Sequence, residues 1–247
     1  MSDFNSPQHQ SSYNHGSFNA NAPLGQPNTA FPIKPIERLQ RAFDIIKPQY
    51  WMFFLITFVA LIIGGAVPFG ILLGAMYCGM YMCYRELRGG NKVAFETLFK
   101  GFDHFAESIK PVLIMVALII PLTVVFYILF FVAMIGGVPP LVFLVTIPLI
   151  YVAILLCSAL IMIPFTFVFP LIVERKMNGI EALKLSWATS KQMFFPLFKF
   201  YVICLLISLV ASLCCVVPAY LFAPIMFVSV FTLYEDAFNA GGSQPLK

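Results

Sequence analysis

An all-α membrane protein with six transmembrane helices is predicted by three features of the sequence: its hydropathy, its long uncharged runs and the position of its basic residues. The mean hydropathy is +0.90, and 11% of the residues are charged, whereas the share in soluble domains is roughly 25%. Uncharged runs extend over residues 48–84, 111–173 and 200–234. Because one membrane-spanning helix needs about 20 apolar residues, each run can hold two.

Glycine and proline residues divide each uncharged run into two spans, since these residues most often break a helical pattern. The breaks are Gly64-Gly65 with Pro68, Gly136-Gly137 with Pro139-Pro140, and Pro218. The predicted spans are residues 50–63, 69–84, 111–135, 141–163, 198–217 and 219–233. They form a bundle of three hairpins. The first two spans are short, so tilt, local bilayer thinning and a re-entrant hairpin all stay open.

The basic residues predict the orientation of the bundle. All 15 Lys and Arg residues fall before, between or after the hairpins, and the three joints within the hairpins contain none. Cytoplasmic loops carry the excess of Lys and Arg in membrane proteins. The sequence therefore predicts that both termini are cytoplasmic.

Two polar tails flank the predicted membrane domain, which covers residues 35–240. Residues 1–34 are rich in Asn, Gln, Ser and Pro and bury too little apolar surface to order themselves, so a disordered tail is expected. Residues 241–247 form a short C-terminal tail. The membrane domain is divided into three units, at about residues 35–84, 92–173 and 178–235.

A similar octet precedes each hairpin: IERLQRAF at residues 36–43, FETLFKGF at residues 95–102 and IEALKLSW at residues 180–187. The shared pattern is an apolar residue, Glu, any residue, Leu, two of any type, a small residue and an aromatic. This similarity favours three parallel repeats, each a surface helix followed by a hairpin. The other interpretation is that amphipathic connectors resemble one another without common descent.

Each octet is predicted to begin a cytoplasmic amphipathic helix in the membrane interface. Over residues 95–110, a spacing of 3.6 residues per turn gathers the aromatic and aliphatic residues on one arc and the charged residues on the other. The residues expected at the interface or in contact with lipid are Phe95, Leu98, Phe102, Phe105, Leu183 and Trp187. The bases expected to approach anionic lipid are Arg175, Lys176, Lys184 and Lys191.

Small residues recur at the start of the second span, at Gly70, Gly74 and Gly79. Glycines at such spacing let two membrane helices approach closely. The contact they predict is either helix packing inside the bundle or an interface between two copies of the chain.

Two longer stretches of the sequence include octets. One runs from PFGILLG at residues 68–74 through Arg88-Gly-Gly to the octet at residue 95, and the other from FPLIVE at residues 169–174 to the octet at residue 180. Together they resemble a broad group of bacterial six-helix membrane proteins whose roles are poorly defined. This group is similar to the membrane domain found ahead of the catalytic domain in some glycerophosphodiester phosphodiesterases. The resemblance covers roughly residues 35–239 and implies a multi-pass protein of the bacterial inner membrane, without a phosphodiesterase domain.

Few residues in the sequence support a catalytic or metal-binding role. No ionisable residue lies between the flanks of the predicted spans, which weighs against a proton-coupled transporter. No nucleophile, base or metal-ligand pattern is visible, so neither a cofactor nor a metal is expected. The plan also resembles mitochondrial carriers in outline, but no span contains their charged proline motif. For a membrane enzyme, the cytoplasmic candidates are Glu96, Asp103, His104, Glu174 and Glu181.

Three functions remain at the level of the sequence. The first is a non-enzymatic membrane scaffold or accessory protein in envelope or lipid-related processes. The alternative is a facilitator or lipid-handling transporter with an apolar pathway, and the third is a membrane enzyme. The expected partners are membrane lipids and a protein partner or a second copy of the chain, and no nucleic acid.

Overall fold

The computed structural model describes residues 34–66, 70–136, 140–214 and 216–238. Ten α-helices lie in these ranges. They are α1 Pro35–Ile46, α2 Tyr50–Ala66, α3 Leu73–Arg88, α4 Glu96–Phe99, α5 Phe105–Ile135, α6 Pro140–Met162, α7 Val168–Arg175, α8 Gly179–Gln192, α9 Phe194–Cys214 and α10 Val216–Phe238. Short 3₁₀ segments at Lys47–Gln49, Lys100–His104 and Ile163–Phe165 join some of them. Of the two predicted tails, residues 1–34 and 241–247, all residues except Lys34 lie outside the described residues.

Five helical segments in the described ranges are long and apolar enough to cross a membrane, which agrees with the prediction of a helical membrane protein. They are Pro35–Ala66, Glu96–Ile135, Leu149–Arg175, Phe194–Ala211 and Tyr220–Phe238. Helix α3, which the sequence predicts as the second span, is not one of them. It has 16 residues, and its last turn carries Arg85 and Arg88.

Helix α3 nevertheless lies at the centre of the molecule. It packs against α2, α4, α5 and α7, and also touches α10. Its buried side chains are Ala75, Met76, Cys78, Met80, Tyr81, Cys83 and Tyr84. A helix covered by protein on most sides does not need the uniformly apolar surface of a lipid-facing helix. Burial therefore explains why α3 is the least apolar helix of the predicted bundle.

The segments that contain the octets pack in a cyclic order. Helix α4 and the following 3₁₀ segment lie on α3, helix α8 lies on the Ile163–Phe165 segment and α7, and helix α1 lies on α10. We call α3, α7 and α10 the closing helices, because each is the last helix of its unit. Each octet segment thus covers the closing helix of a different unit. With the pairs α2–α3, α5–α6 and α9–α10 packed side by side, this order links the first unit back to the third.

The middle octet departs from the amphipathic helix predicted over residues 95–110. The chain forms one turn of α-helix at α4, tightens into the 3₁₀ segment Lys100–His104, and begins α5 only at Phe105. Gly101 lies so close to α3 that an added Cβ would be 2.1 Å from the Ala75 carbonyl oxygen. Because a glycine weakens the helix and close backbone packing favours the tighter turn, tertiary contact overrides the helical pattern.

Candidate functional site

A buried cluster of three tyrosines and one glutamate lies where α3, α7 and α10 converge. It consists of Tyr81 and Tyr84 on α3, Glu174 on α7 and Tyr234 on α10, and we call it the tyrosine–glutamate cluster. The Tyr81 hydroxyl donates a hydrogen bond to Glu174 Oε1. The Glu174 side chain is 4% exposed, and the three tyrosines are fully buried. The cluster therefore joins the closing helices of all three units in one place.

The spacing of residues along α3 and α10 places the aromatic side chains of the cluster. Tyr81 and Tyr84 lie about one helical turn apart on α3, and Phe231 and Tyr234 repeat the same spacing on α10. The Phe231 ring packs between them, with its centroid 5.1 Å from that of Tyr81 and 5.5 Å from that of Tyr84. The chain leaves α7 directly after Arg175, where Lys176 adopts a left-handed conformation with φ of 49°. Glu174 therefore faces the bundle from the last turn of its helix.

Charged groups at the edge of the cluster balance the buried carboxylate. Arg85 Nε lies 3.8 Å from Glu174 Oε1. Arg175 places its guanidinium carbon 5.5 Å from the centroid of the Phe238 ring, a cation–π contact that holds this base against the end of α10. Arg88 Nη2 lies 3.0 Å from Glu235 Oε2. A buried carboxylate needs such partners, because an uncompensated charge in a dry interior is costly.

Three polar atoms of the cluster have no hydrogen-bond partner among the described residues: the hydroxyls of Tyr84 and Tyr234, and Glu174 Oε2. The Tyr234 hydroxyl lies near the charged groups of Glu174 and Arg175. The Tyr84 hydroxyl lies near the carboxylate of Glu235. Each of these hydroxyls thus lies beside a carboxylate without a hydrogen bond of good geometry. An unsatisfied buried group costs about 1–3 kcal/mol, so small adjustments toward these neighbours are favoured.

Further polar contacts fasten the units around the cluster. Arg38 on α1 pairs with Asp236 on α10, and Arg41 Nη1 lies 3.2 Å from the same carboxylate. Glu107 Oε2 accepts a hydrogen bond of 2.8 Å from the Gly179 amide at the start of α8. The first of these links joins units one and three, and the second joins units two and three.

The acidic residues named as enzyme candidates are not brought together. Glu174 lies in the tyrosine–glutamate cluster, whereas Glu96, Asp103 and Glu181 are exposed and His104 is half-buried. Among the described residues there is no group of three His, Cys, Asp or Glu side chains that could hold a metal ion. The buried carboxylate can accept a hydrogen bond and a proton, and the other members of the cluster are the three tyrosine hydroxyls.

Equivalent positions of the three octets have similar exposure. The small residue at the seventh position, Ala42, Gly101 or Ser186, is buried in each copy. The aromatic at the eighth position is exposed in each, by 41% at Phe43, 38% at Phe102 and 52% at Trp187. Every octet therefore turns its small residue toward the bundle and its aromatic outward.

The other residues predicted at the membrane interface divide into three groups. Lys176, Lys184 and Lys191 are exposed, and Phe95, Phe105, Leu183 and Arg175 are half-buried. Leu98 is fully buried and its backbone packs against Gly79 on α3, so this residue has no surface left for lipid.

The three glycines singled out in the sequence have different surroundings. An added Cβ at Gly74 would lie 2.7 Å from the Ser108 carbonyl oxygen, and one at Gly79 would lie 2.0 Å from that of Leu98. Both glycines thus allow close backbone contact within the chain. Gly70 precedes α3 with φ of +61°, a conformation that side chains disfavour.

Sequence reasoning named Glu174 only as one of several acidic candidates and did not single out the tyrosines. The signal that could have found the cluster is the repeated aromatic pair one turn apart at the ends of α3 and α10, each followed by a charged residue. Comparisons with protein-family models, curated proteins and solved structures found no match for this chain.

Proposed function

We propose that the protein is a non-enzymatic, multi-pass membrane scaffold or accessory protein of the bacterial inner membrane, acting in envelope or lipid-related processes. The observation that carries this proposal is the filled centre of the bundle. Helix α3 occupies the place between the other units where a transport pathway would run, and its side chains there are buried. A centre held by the tyrosine–glutamate cluster suits a rigid platform better than a conduit.

The membrane placement in this proposal follows the three-unit plan, with each octet segment on the cytoplasmic side. Its support is a set of exposed aromatic residues that lie close in sequence to bases: Phe43, Trp51, Phe102, Trp187 and Phe195. Aromatic side chains concentrate at the boundary between membrane and water, and bases favour the anionic cytoplasmic leaflet. Helix α8 fits this role well, since Ile180 and Trp187 are exposed on it together with Lys184 and Lys191.

The alternative function is a facilitator or lipid-handling transporter with an apolar pathway. The nearest observation to a pathway is an open depression of about 550 Å³ on the exposed side of α5, lined by Val124, Tyr127, Ile128, Phe130, Phe131 and Val132. A second open depression, of about 320 Å³, lies between the end of α3 and the start of the middle unit. Neither of these two depressions runs through the described part of the bundle. For this reason we propose the scaffold function ahead of the transporter.

The test is extraction of the tagged chain from membranes in a lipid-retaining polymer, followed by purification over two unrelated columns. A scaffold is expected to retain a protein partner at a constant ratio to the chain. Reconstituted into vesicles, it should move neither labelled phospholipid nor neutral solutes faster than protein-free vesicles do. Recovery of lipid alone, together with accelerated flux, would replace the scaffold by the alternative.

A further inference from the structure

An open depression lies at the end of α3, against the beginning of the middle unit. Its volume of about 320 Å³ is near the lower limit of the range of about 300–1,000 Å³ that is typical of small-ligand sites. It therefore has room for one small polar group. We call it the polar depression, and its lining residues are Met82, Arg85, Glu86, Asn91, Thr97 and Lys100.

Hydrogen bonds hold the walls of the polar depression in place. Thr97 Oγ1 donates to Glu86 Oε1 over 2.9 Å, which joins α4 to α3. Gln49 Nε2 donates to the Asn91 carbonyl over 3.1 Å, and Gln49 Oε1 accepts from the Val93 amide over 2.9 Å. One side chain thus fixes the loop between α3 and α4 at two points. A site with fixed walls loses little conformational freedom when a ligand binds.

Glu86 provides a hydrogen-bond acceptor at the depression. Its Oε1 is bound by Thr97, whereas its Oε2 is buried and has no hydrogen-bond partner among the described residues. A buried acceptor without a donor is costly and is uncommon in folded proteins. Because the acceptor is a carboxylate, a cationic donor forms the strongest bond with it. The unfilled position on Oε2 therefore suits an ammonium group.

The charges around the depression favour a ligand that carries both signs. Arg85 Nε lies 3.8 Å from Glu174 Oε1, so its charge is already balanced by a carboxylate. Lys100 and Glu86 form no ion pair with any residue that the structure describes, although both charges lie near the Cys83 thiol. A simple anion attracted by Lys100 is repelled by Glu86. A zwitterion can satisfy both groups at once.

A row of four aromatic rings runs along the same segment and is made of Phe95, Phe99, Phe102 and Phe105. Successive ring centroids are 5.6, 6.5 and 6.4 Å apart, and the two middle rings are exposed by 42% and 38%. Lys100 follows Phe99 directly in the chain, so the row begins beside the polar depression. Aromatic side chains are enriched at the boundary between head groups and acyl chains. A charged depression next to such a row matches the two parts of one phospholipid.

We propose that the polar depression binds the head group of a zwitterionic phospholipid that carries a phosphate and a primary ammonium. The phosphate accepts hydrogen bonds from Lys100 and the Asn91 side-chain amide, and the ammonium donates to Glu86 Oε2. The acyl chains lie against the aromatic row. This inference rests on the membrane placement in the proposed function, which puts the octet segments on the cytoplasmic side and therefore assigns the lipid to the cytoplasmic leaflet.

Three phospholipids with the same acyl chains test the chemistry of the site. Phosphatidylethanolamine carries both groups, phosphatidylcholine keeps both charges but has no N–H to donate, and phosphatidylglycerol has the phosphate without an ammonium. The measurement is native mass spectrometry of the full chain in detergent, titrated with each lipid. We expect phosphatidylethanolamine to bind about tenfold more tightly than either of the others, because each of them lacks the charge-assisted hydrogen bond to Glu86.

Two substitutions separate the roles of the two charged groups. Lys100→Gln should weaken the binding of phosphatidylethanolamine and phosphatidylglycerol alike, since both present a phosphate. Glu86→Gln keeps an oxygen for Thr97 but removes the negative charge, so it should abolish the difference between these two lipids. Lys92→Gln and Glu96→Gln are the matched controls, because both residues are exposed nearby in the chain and lie outside the lining. Both controls should keep the order of affinities of the unsubstituted chain.

Several results would overturn the inference. Equal binding of the three lipids by the unsubstituted chain would do so, as would tightest binding of phosphatidylglycerol or a preference that survives Glu86→Gln. Glycerophosphoethanolamine is the same head group without acyl chains. If it displaced the lipid at equal concentration, the depression would be a site for the free head group and not for a lipid.

The proposed function is tested by a different measurement, the retention of a protein partner in the lipid-retaining polymer. Loss of the lipid preference with the partner retained refutes the site alone. Loss of the partner with the lipid preference intact refutes the scaffold alone.

Discussion

Tyr81 and Glu174 are 93 positions apart in the chain, and the hydroxyl of one donates to the carboxylate of the other inside the bundle. Tyr81 belongs to α3 and Glu174 to α7, so this hydrogen bond joins the first and second units. The Tyr234 ring, whose centroid is 5.8 Å from that of Tyr81, brings in the third. Side chains from all three units therefore meet in one layer here.

Replacing this phenol tests its contribution to stability. Tyr81→Phe keeps the ring but leaves the Glu174 carboxylate without its hydrogen-bond donor, and we expect a loss of about 2 kcal/mol in the free energy of unfolding. The measurement is thermal unfolding in one detergent at fixed protein concentration. Tyr127→Phe is the matched control, since Tyr127 is 63% exposed on α5. An equal, small effect of both substitutions would show that the hydrogen bond does not stabilise the fold.

The sequence predicted the membrane class and most helices, because hydropathy over about 20 residues and helix breaks at glycine and proline depend only on residues that are neighbours in the chain. It also singled out Gly74 and Gly79 as positions of close approach, though not their partners. It could not predict that α3 is central or that residues 95–110 break into two helices, because both depend on backbone contact with a distant segment. The cluster around Glu174 could not be predicted for the same reason, because the residues that surround Glu174 come from α3 and α10.

Close backbone packing at Gly101 should tolerate no side chain. In Gly101→Ala the new Cβ meets the Ala75 carbonyl oxygen at 2.1 Å and the Gly79 amide nitrogen at 2.5 Å. Backbone cannot rotate away as a side chain can, so we expect a loss of about 3 kcal/mol or more. Gly65→Ala is the control, because nothing lies within 4 Å of its added Cβ. As alanine is the better helix former, that variant should be unchanged or more stable by about 0.5–1 kcal/mol. The measurement is thermal unfolding of the two variants under the same conditions. Equal midpoints would contradict the close backbone contact between Gly101 and α3.

The contact between α1 and α10 should depend on Asp236. Its carboxylate pairs with Arg38, whose side chain is 12% exposed, so Asp236→Asn removes a negative charge next to a mostly buried base. We expect amide hydrogen exchange to accelerate along α1 while exchange in α5 is unchanged. Glu37→Gln removes the exposed pair with Lys34, in which both side chains are 64% exposed, and should change stability by less than about 1 kcal/mol. Similar exchange in both variants would mean that another contact holds α1.

Trp187 offers a direct test of whether α8 lies in the membrane interface. The chain has two tryptophans, so Trp51→Phe leaves Trp187 as the only indole. Trp187 is 52% exposed, while the opposite face of α8 places Ala182, Ser186, Thr189 and Ser190 inside the bundle. An aromatic side chain at the acyl boundary is shielded from water. In reconstituted vesicles, the emission of Trp187 should therefore be quenched by lipids brominated near the headgroup end of the acyl chain, and little by iodide in the aqueous phase. Strong iodide quenching without lipid quenching would place α8 in water, and the exposed aromatics of the octets would then need a protein partner rather than a lipid surface.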